Sequence, residues 1–232
     1  MSAAAPAPFR PDPRALIRPV ASGCGIVNAG SGMLGTLGLI ATSNRSDCWI
    51  VSCYHVLGRP YLHGRVQPFH AGDEIHQPDV STPHNPVDSL IATVNLDTFR
   101  HLDDRAYDAA AVMLDESVPH TNAVLGIAGM DRLEGVAPPR TGMKVIKSGG
   151  ATGVTRGEVI DIRAGFSATL VEIDLDWDTD DDELTRPGDS GAVWIESATG
   201  MAVAMNCGES PSRAAICVVL ADVLDGLGLK LQ

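Results

Sequence analysis

The stretch Arg186-Pro187-Gly188-Asp189-Ser190-Gly191-Ala192 decides how the rest of the chain is read. Glycines on both sides of an Asp-Ser pair permit a tight turn that leaves the serine hydroxyl exposed at its apex. A serine hydroxyl is a weak nucleophile at neutral pH, so it needs an adjacent base, and that base needs an orienting acid. Both residue types stand upstream. His55 follows the apolar run Trp49-Ile50-Val51-Ser52-Cys53-Tyr54, and Asp108 opens a second one, Ala109-Ala110-Ala111-Val112-Met113-Leu114. Each piece alone fits a polar turn, a rim histidine or a solvated strand end. Their order and spacing together point to nucleophilic catalysis by His55, Asp108 and Ser190.

The 232 residues suffice for one all-β domain or two small halves that share an interface. Hydrophobic residues make up 44% but aromatic ones only 4%, so the core must rest on aliphatic side chains. A net charge of −12 argues against nucleic acid as a partner, since phosphate binding needs clustered Lys and Arg. No apolar run has the length of a membrane span. The start, Met1-Ser2-Ala3-Ala4-Ala5-Pro6-Ala7-Pro8, lacks a charged and apolar export signal and reads as a flexible Pro/Ala-rich arm over residues 1–18. Five cysteines (Cys24, Cys48, Cys53, Cys207, Cys217) without such a signal suit free thiols in a reducing, cytoplasmic setting. The histidines outside the motif (His63, His70, His76, His84, His101, His120) are scattered and show no metal-ligand spacing, so neither metal nor cofactor is expected.

Short apolar runs broken by glycine, proline and polar turns predict an all-β chain. Strands are expected at Gly35–Thr42, Cys48–Ser52, Leu90–Asn95, Ala109–Leu114, Met143–Ser148, Gly157–Arg163, Ala168–Asp176, Ala192–Ser197, Met201–Asn206 and Arg213–Val219. A terminal helix is expected over Ala221–Leu229, ended early by Gly226 and Gly228. This pattern fits two antiparallel six-stranded β-barrels, over residues 19–125 and 126–232, with a short C-terminal helix. Gly30-Ser31-Gly32-Met33-Leu34-Gly35 matches a dinucleotide fingerprint literally, but a strand rather than a helix follows it. The acidic run from Glu172 to Glu183 alternates with period two through Val171, Ile173 and Leu175, as a half-buried strand would. It lacks the glycine and final glutamate of a calcium loop. It reads as a solvated face, with attraction of a basic substrate segment as the alternative.

Ser52-Cys53-Tyr54-His55-Val56-Leu57, Tyr107-Asp108-Ala109-Ala110 and Pro187-Gly188-Asp189-Ser190-Gly191 together resemble the trypsin/chymotrypsin-like serine proteases. The narrower resemblance is to a bacterial-type trypsin-like group without disulfides, related to the plant protein Narrow leaf 1. It is carried by Gly35-Thr36-Leu37-Gly38, Gly72-Asp73-Glu74-Ile75-His76-Gln77-Pro78 and Ala151-Thr152-Gly153-Val154-Thr155-Arg156-Gly157. The resemblance implies a serine endopeptidase acting on a protein or peptide, with no cofactor. It makes His55 the general base, Asp108 its orienting acid and Ser190 the nucleophile, with the N–H groups of Gly188 and Ser190 as oxyanion donors. It places Leu184 at the base of the primary specificity pocket and Asn206, Cys207 and Gly208 along the wall where substrate backbone pairs. The activating N-terminus that pairs with the aspartate before the serine in animal relatives has no obvious counterpart, and Arg186 is the candidate by proximity. A latent or inactive binding module on the same fold is the alternative.

Overall fold

In this computed structural model the described residues are 12–45, 47–62, 65, 67–78, 86–102, 107–165, 168–176, 178, 179 and 181–232. Most of the Pro/Ala-rich arm, together with His63, His84, Trp177 and Asp180, lies outside them.

The chain is mostly β, as its turn-punctuated apolar runs require. Six antiparallel strands close into a barrel in the C-terminal half. Around the ring they are Val193–Glu196, Lys144–Gly149, Gly153–Ala164, Thr169–Leu175, Ala215–Val219 and Met201–Glu209, which returns to the first. Period-two alternation sends Val145, Val159, Val171, Ile173, Trp194 and Val203 into the barrel, where they form its own apolar core. The N-terminal half holds two larger sheets, with Val20–Ser22 and His120–Val124 as a separate parallel pair. One orders Met33–Thr36, Gly25–Asn28, Glu74–His76 and Leu90–Thr93; the other orders Lys230–Leu231, Leu39–Thr42, Cys48–Cys53, Ala109–Met113 and Phe99–His101. Their core includes Ile26, Ile50, Val51 and Ile91 and runs across into Ile146, Val193, Met205 and Val218 of the barrel. The two halves therefore share one continuous apolar interior.

The C-terminus ties them further. The helix Leu220–Leu227 buries Leu220, Val223, Leu224 and Leu227 and ends on Gly228, whose left-handed φ of 65° makes the cap. Gly226 lies inside the helix instead of ending it. Arg100 donates to the carbonyls of Leu227 and Gly228, a cation at the negative end of the helix. Beyond it Lys230–Leu231 joins the N-terminal half as an edge strand against Leu39–Thr42.

The expected strand Gly35–Thr42 is broken in two, with Leu37-Gly38 between Met33–Thr36 and Leu39–Thr42. The break moves the chain from one sheet to the other and brings its backbone against the serine turn. A Cβ on Gly38 would lie 2.2 Å from the Gly191 carbonyl oxygen and 2.9 Å from that of Val51. Neither obstacle is a flexible side chain. Gly38→Ala should therefore lower stability by about 1–3 kcal/mol or more in a denaturant melt. Gly208→Ala, where nothing stands within 4 Å of the added carbon, should leave the midpoint nearly unchanged.

Candidate active site

Strand Cys48–Cys53 runs to the seam between the halves and turns into one helical turn, Tyr54–Leu57, which carries His55. The neighbouring strand Ala109–Met113 pairs with it up to Cys53↔Ala109, so Asp108 arrives beside His55. Asp108 adopts φ 42°, a left-handed conformation that aspartate tolerates better than most residues. Its carbonyl accepts the Tyr54 N–H at 2.9 Å. Its Oδ2 lies 2.6 Å from His55 Nδ1, and Oδ1 accepts the His55 backbone N–H at 3.1 Å and the Tyr61 hydroxyl at 2.7 Å. A carboxylate facing Nδ1 requires the proton there, which leaves the Nε2 lone pair free to act as a base. The two side chains are 15% and 10% exposed, and both line a cleft of about 600 Å³.

The serine turn is held against this strand from the other side. Gly188 and Gly191, with φ 106° and 94°, bracket Asp189 and Ser190. The Ser190 carbonyl accepts the Thr36 N–H at 2.8 Å, and the Thr36 hydroxyl donates to the Gly188 carbonyl at 2.9 Å. A single acceptor, the Asn206 carbonyl, takes the Gly191 N–H at 2.7 Å and the Cys53 thiol at 3.2 Å. Gly35 is wedged between Val56 and the Ser190 carbonyl, where a Cβ would come within 2.4 Å and 3.0 Å of them. His55 and Asp108 are thus in contact, and Thr36 and Cys53 anchor the Ser190 turn nearby; among the described residues no hydrogen bond joins His55 to Ser190. Among the described residues the N–H groups of Gly188 and Ser190 donate to no protein acceptor.

Asp189 turns inward and is fully buried, and its partner is Lys147, not Arg186. Lys147 Nζ lies 3.2 Å from Asp189 Oδ2, with both side chains wholly inaccessible. Asp189 also accepts the N–H groups of Ala151 and Thr152 at 3.0 Å, the Thr152 hydroxyl at 2.7 Å and the Arg186 N–H at 3.2 Å. The Arg186 guanidinium faces outward to Glu183 and the Ala151 carbonyl. A long, hydrated guanidinium at the rim has no reason to enter a buried site already filled by an ammonium. Burial pushes the Asp189 carboxyl upward, but the Lys147 charge and the donors from Thr152 and Ala151 outweigh it and hold it below its ordinary value. Burial lowers Lys147, against the pull of Asp189. Lys147 was legible in principle, since it shares strand parity with the inward-facing Met143 and Val145.

The other singled-out residues divide. Cys207 and Gly208 line the 600 Å³ cleft with His55, Tyr61, Leu170 and Val218. Leu184 is buried at the edge of a second cavity, about 360 Å³, alongside Thr185, Arg186 and Glu209. Asn206 is buried and directs its amide to the Thr185 hydroxyl and the Asp189 carbonyl, so its side chain braces the turn. Cys53, His55 and Asp108 place one ligand-type atom each within 4.8 Å of one another. Yet Nδ1 is committed to Asp108, and burial raises the Cys53 thiol, which disfavours the thiolate a metal would need. All five cysteines are free. No helix among the described residues is long and apolar enough to cross a membrane.

No family model matches the sequence. No curated protein matches it either. Solved structures do. The Nocardiopsis protease NAPase aligns over 92% of this chain and 98% of its own, with TM-score 0.60 and 17% identity. A Cellulomonas bogoriensis chymotrypsin aligns over 92% and 98%, with TM-score 0.60 and 16% identity. A glutamic-acid-specific serine protease aligns over 92% and 100%, with TM-score 0.61 and 15% identity. The chain has the chymotrypsin-like serine protease fold. Its five cysteines form no disulfide, and Lys147 lies beneath the serine turn.

Two expectations follow. Lys147→Met strands a buried carboxylate and should cost about 3–5 kcal/mol in urea unfolding, part of which Lys147→Met with Asp189→Asn restores. Because the folded state depresses Asp189, its stabilisation is complete above its ordinary value of 3.8 and is lost as pH falls through the lower folded value. Stability measured from pH 6 downward should fall less steeply in Lys147→Met with Asp189→Asn, where neither buried charge remains, than in wild type.

Proposed function

We propose that the chain is a serine endopeptidase in which His55, Asp108 and Ser190 form the catalytic triad. The observation that carries this reading is the 2.6 Å His55–Asp108 bond, whose two residues line the 600 Å³ cleft, while Thr36 and Cys53 tie the Ser190 turn to the strands beside them. Ser190 Oγ attacks the scissile carbonyl carbon while His55 Nε2 takes its proton. The N–H groups of Gly188 and Ser190 stabilise the oxyanion that forms, where fixed donors act most strongly. His55 returns the proton to the leaving amine, and water then hydrolyses the acyl-enzyme by the same route. Lys147 supplies from within the positive charge that orders the turn, so no new N-terminus is needed.

The substrate is read as an extended protein segment of narrow sequence preference, laid along Cys207-Gly208 and bordered by Met33, Leu170, Ile216 and Val218. A basic residue in that segment finds Asp174, Asp182 and Glu209 in the adjoining cavity, which Arg186 and Arg213 also line. The narrower kinship with the group around Narrow leaf 1 rests on sequence motifs, and a reducing, cytoplasmic setting on the free thiols.

A fluorophosphonate probe should label the wild type and not Ser190→Ala, and the same substitution should lower turnover on the order of 10⁶-fold. Asp108→Asn should cost about 10⁴-fold near neutral pH, because an amide favours the wrong imidazole tautomer. Absence of labelling in a folded protein would favour a latent binding module. Labelling without cleavage of a peptide library would favour an esterase.

A further inference from the structure

Asp108 has two oxygens, and the triad's geometry depends on how both are held. Oδ2 faces the imidazole. Oδ1 is held by the His55 N–H at 3.1 Å and by the shorter bond from Tyr61 at 2.7 Å. Among the described residues no other side-chain hydroxyl reaches this carboxylate. Asn206, on the strand beside it, spends its amide on Thr185 and Asp189. The nearby thiols are also turned elsewhere: Cys53 donates to the Asn206 carbonyl and Cys207 to those of Tyr107 and Met205. Asp108 sits in a left-handed backbone conformation, φ 42°, which its contacts must sustain.

We propose that Tyr61 is a positioning residue: its hydroxyl locks the Asp108 carboxylate so that His55 presents Nε2 toward Ser190. This rests on the protease reading above. Burial, together with the charge of Asp108, pushes the Tyr61 phenol well above its ordinary range, so it remains a donor at any working pH. Its ring also lines the cleft beside His55, 6.4 Å between ring centroids, and so limits water's access to the carboxylate. Pro60, which precedes it, fixes φ and removes a donor at the loop's entry.

Tyr61→Phe keeps the ring and removes only the donor. A hydrogen bond to a charged group of this kind corresponds to a loss in kcat of about 10- to 100-fold with KM changed less than about twofold. In a Ser190→Ala background, where no turnover is needed, the downfield proton resonance of His55 Nδ1–H should shift or broaden when Tyr61 becomes Phe. Among the described residues the Cys53 and Cys207 thiols stand near the pair, and this change leaves them in place. Wild-type kcat overturns the proposal, as does an unmoved resonance or an effect confined to KM. If Tyr61→Phe does not fold, 3,5-difluorotyrosine at position 61 preserves the shape and strengthens the donor, and the resonance must still move. Failure of the protease reading is seen separately, as absence of Ser190-dependent probe labelling.

Discussion

The buried pair between Lys147 and Asp189 is the constraint on which the nucleophile turn depends. A carboxylate and an ammonium, both fully inaccessible, give up several kcal/mol of hydration each, and their attraction roughly repays it. The pair therefore adds little net stability but strongly disfavours any other conformation of the turn. Asp189 gathers five donors from Lys147, Ala151, Thr152 and Arg186, and so fixes the 150 segment and the residues before the serine at once. Room for this is made by glycine. A Cβ on Gly149 would lie 2.3 Å from Asp189 Oδ1, and one on Gly150 2.9 Å from the Gly25 Cα.

From there the order propagates across the seam. Thr36 belongs to the N-terminal half, yet its hydroxyl accepts from the Gly150 N–H and donates to the Gly188 carbonyl, while its own N–H holds Ser190. Ser52 donates to the Thr36 carbonyl and fills the space a side chain at Gly191 would need. The same strand continues into His55. The relative placement of His55 and Ser190 is thus a property of the interface between the halves, and the shared apolar core through Val51, Val193 and Met205 keeps that interface rigid.

Much of this was legible in the chain. The Gly-Asp-Ser-Gly turn, the histidine after one apolar run and the aspartate before another singled out Ser190, His55 and Asp108, of which the structure puts the last two in contact at 2.6 Å. Alternating burial at Val171 and Ile173 matched the period-two pattern. Less legible were features created by tertiary contact. Leu37-Gly38 looks like the middle of a strand, and only the approach of the Gly191 carbonyl shows why it is a break. Short strands such as Val20–Ser22 and Glu74–His76 owe their existence to pairing partners rather than to local pattern. Arg186 seemed the natural partner of Asp189 from sequence distance, whereas strand parity, which sends Lys147 inward, was the better guide. Tyr61 carried no local signal at all, since a tyrosine after Arg-Pro in a loop is unremarkable until Asp108 is placed beside it.

The acidic run shows how sequence charge differs from field. Read linearly, Glu172 to Glu183 is a strong anionic stripe leading to the nucleophile. In the fold its carboxylates are largely answered at home: Glu172 by Arg163, Asp176 by Lys144, Asp181 by Arg156 and Glu183 by Arg186. Exposed pairs of this kind add little stability, but they cancel much of the field at distances beyond the Debye length of about 8 Å. Long-range steering by the run is therefore weaker than its composition suggests. Under the protease reading, discrimination must act at contact range, where Asp174, Asp182 and Glu209 share one cavity with Arg186 and Arg213 and apolar side chains border the cleft beside His55. On that reading recognition is a matter of fit along the cleft, with charge entering only for side chains that reach the second cavity.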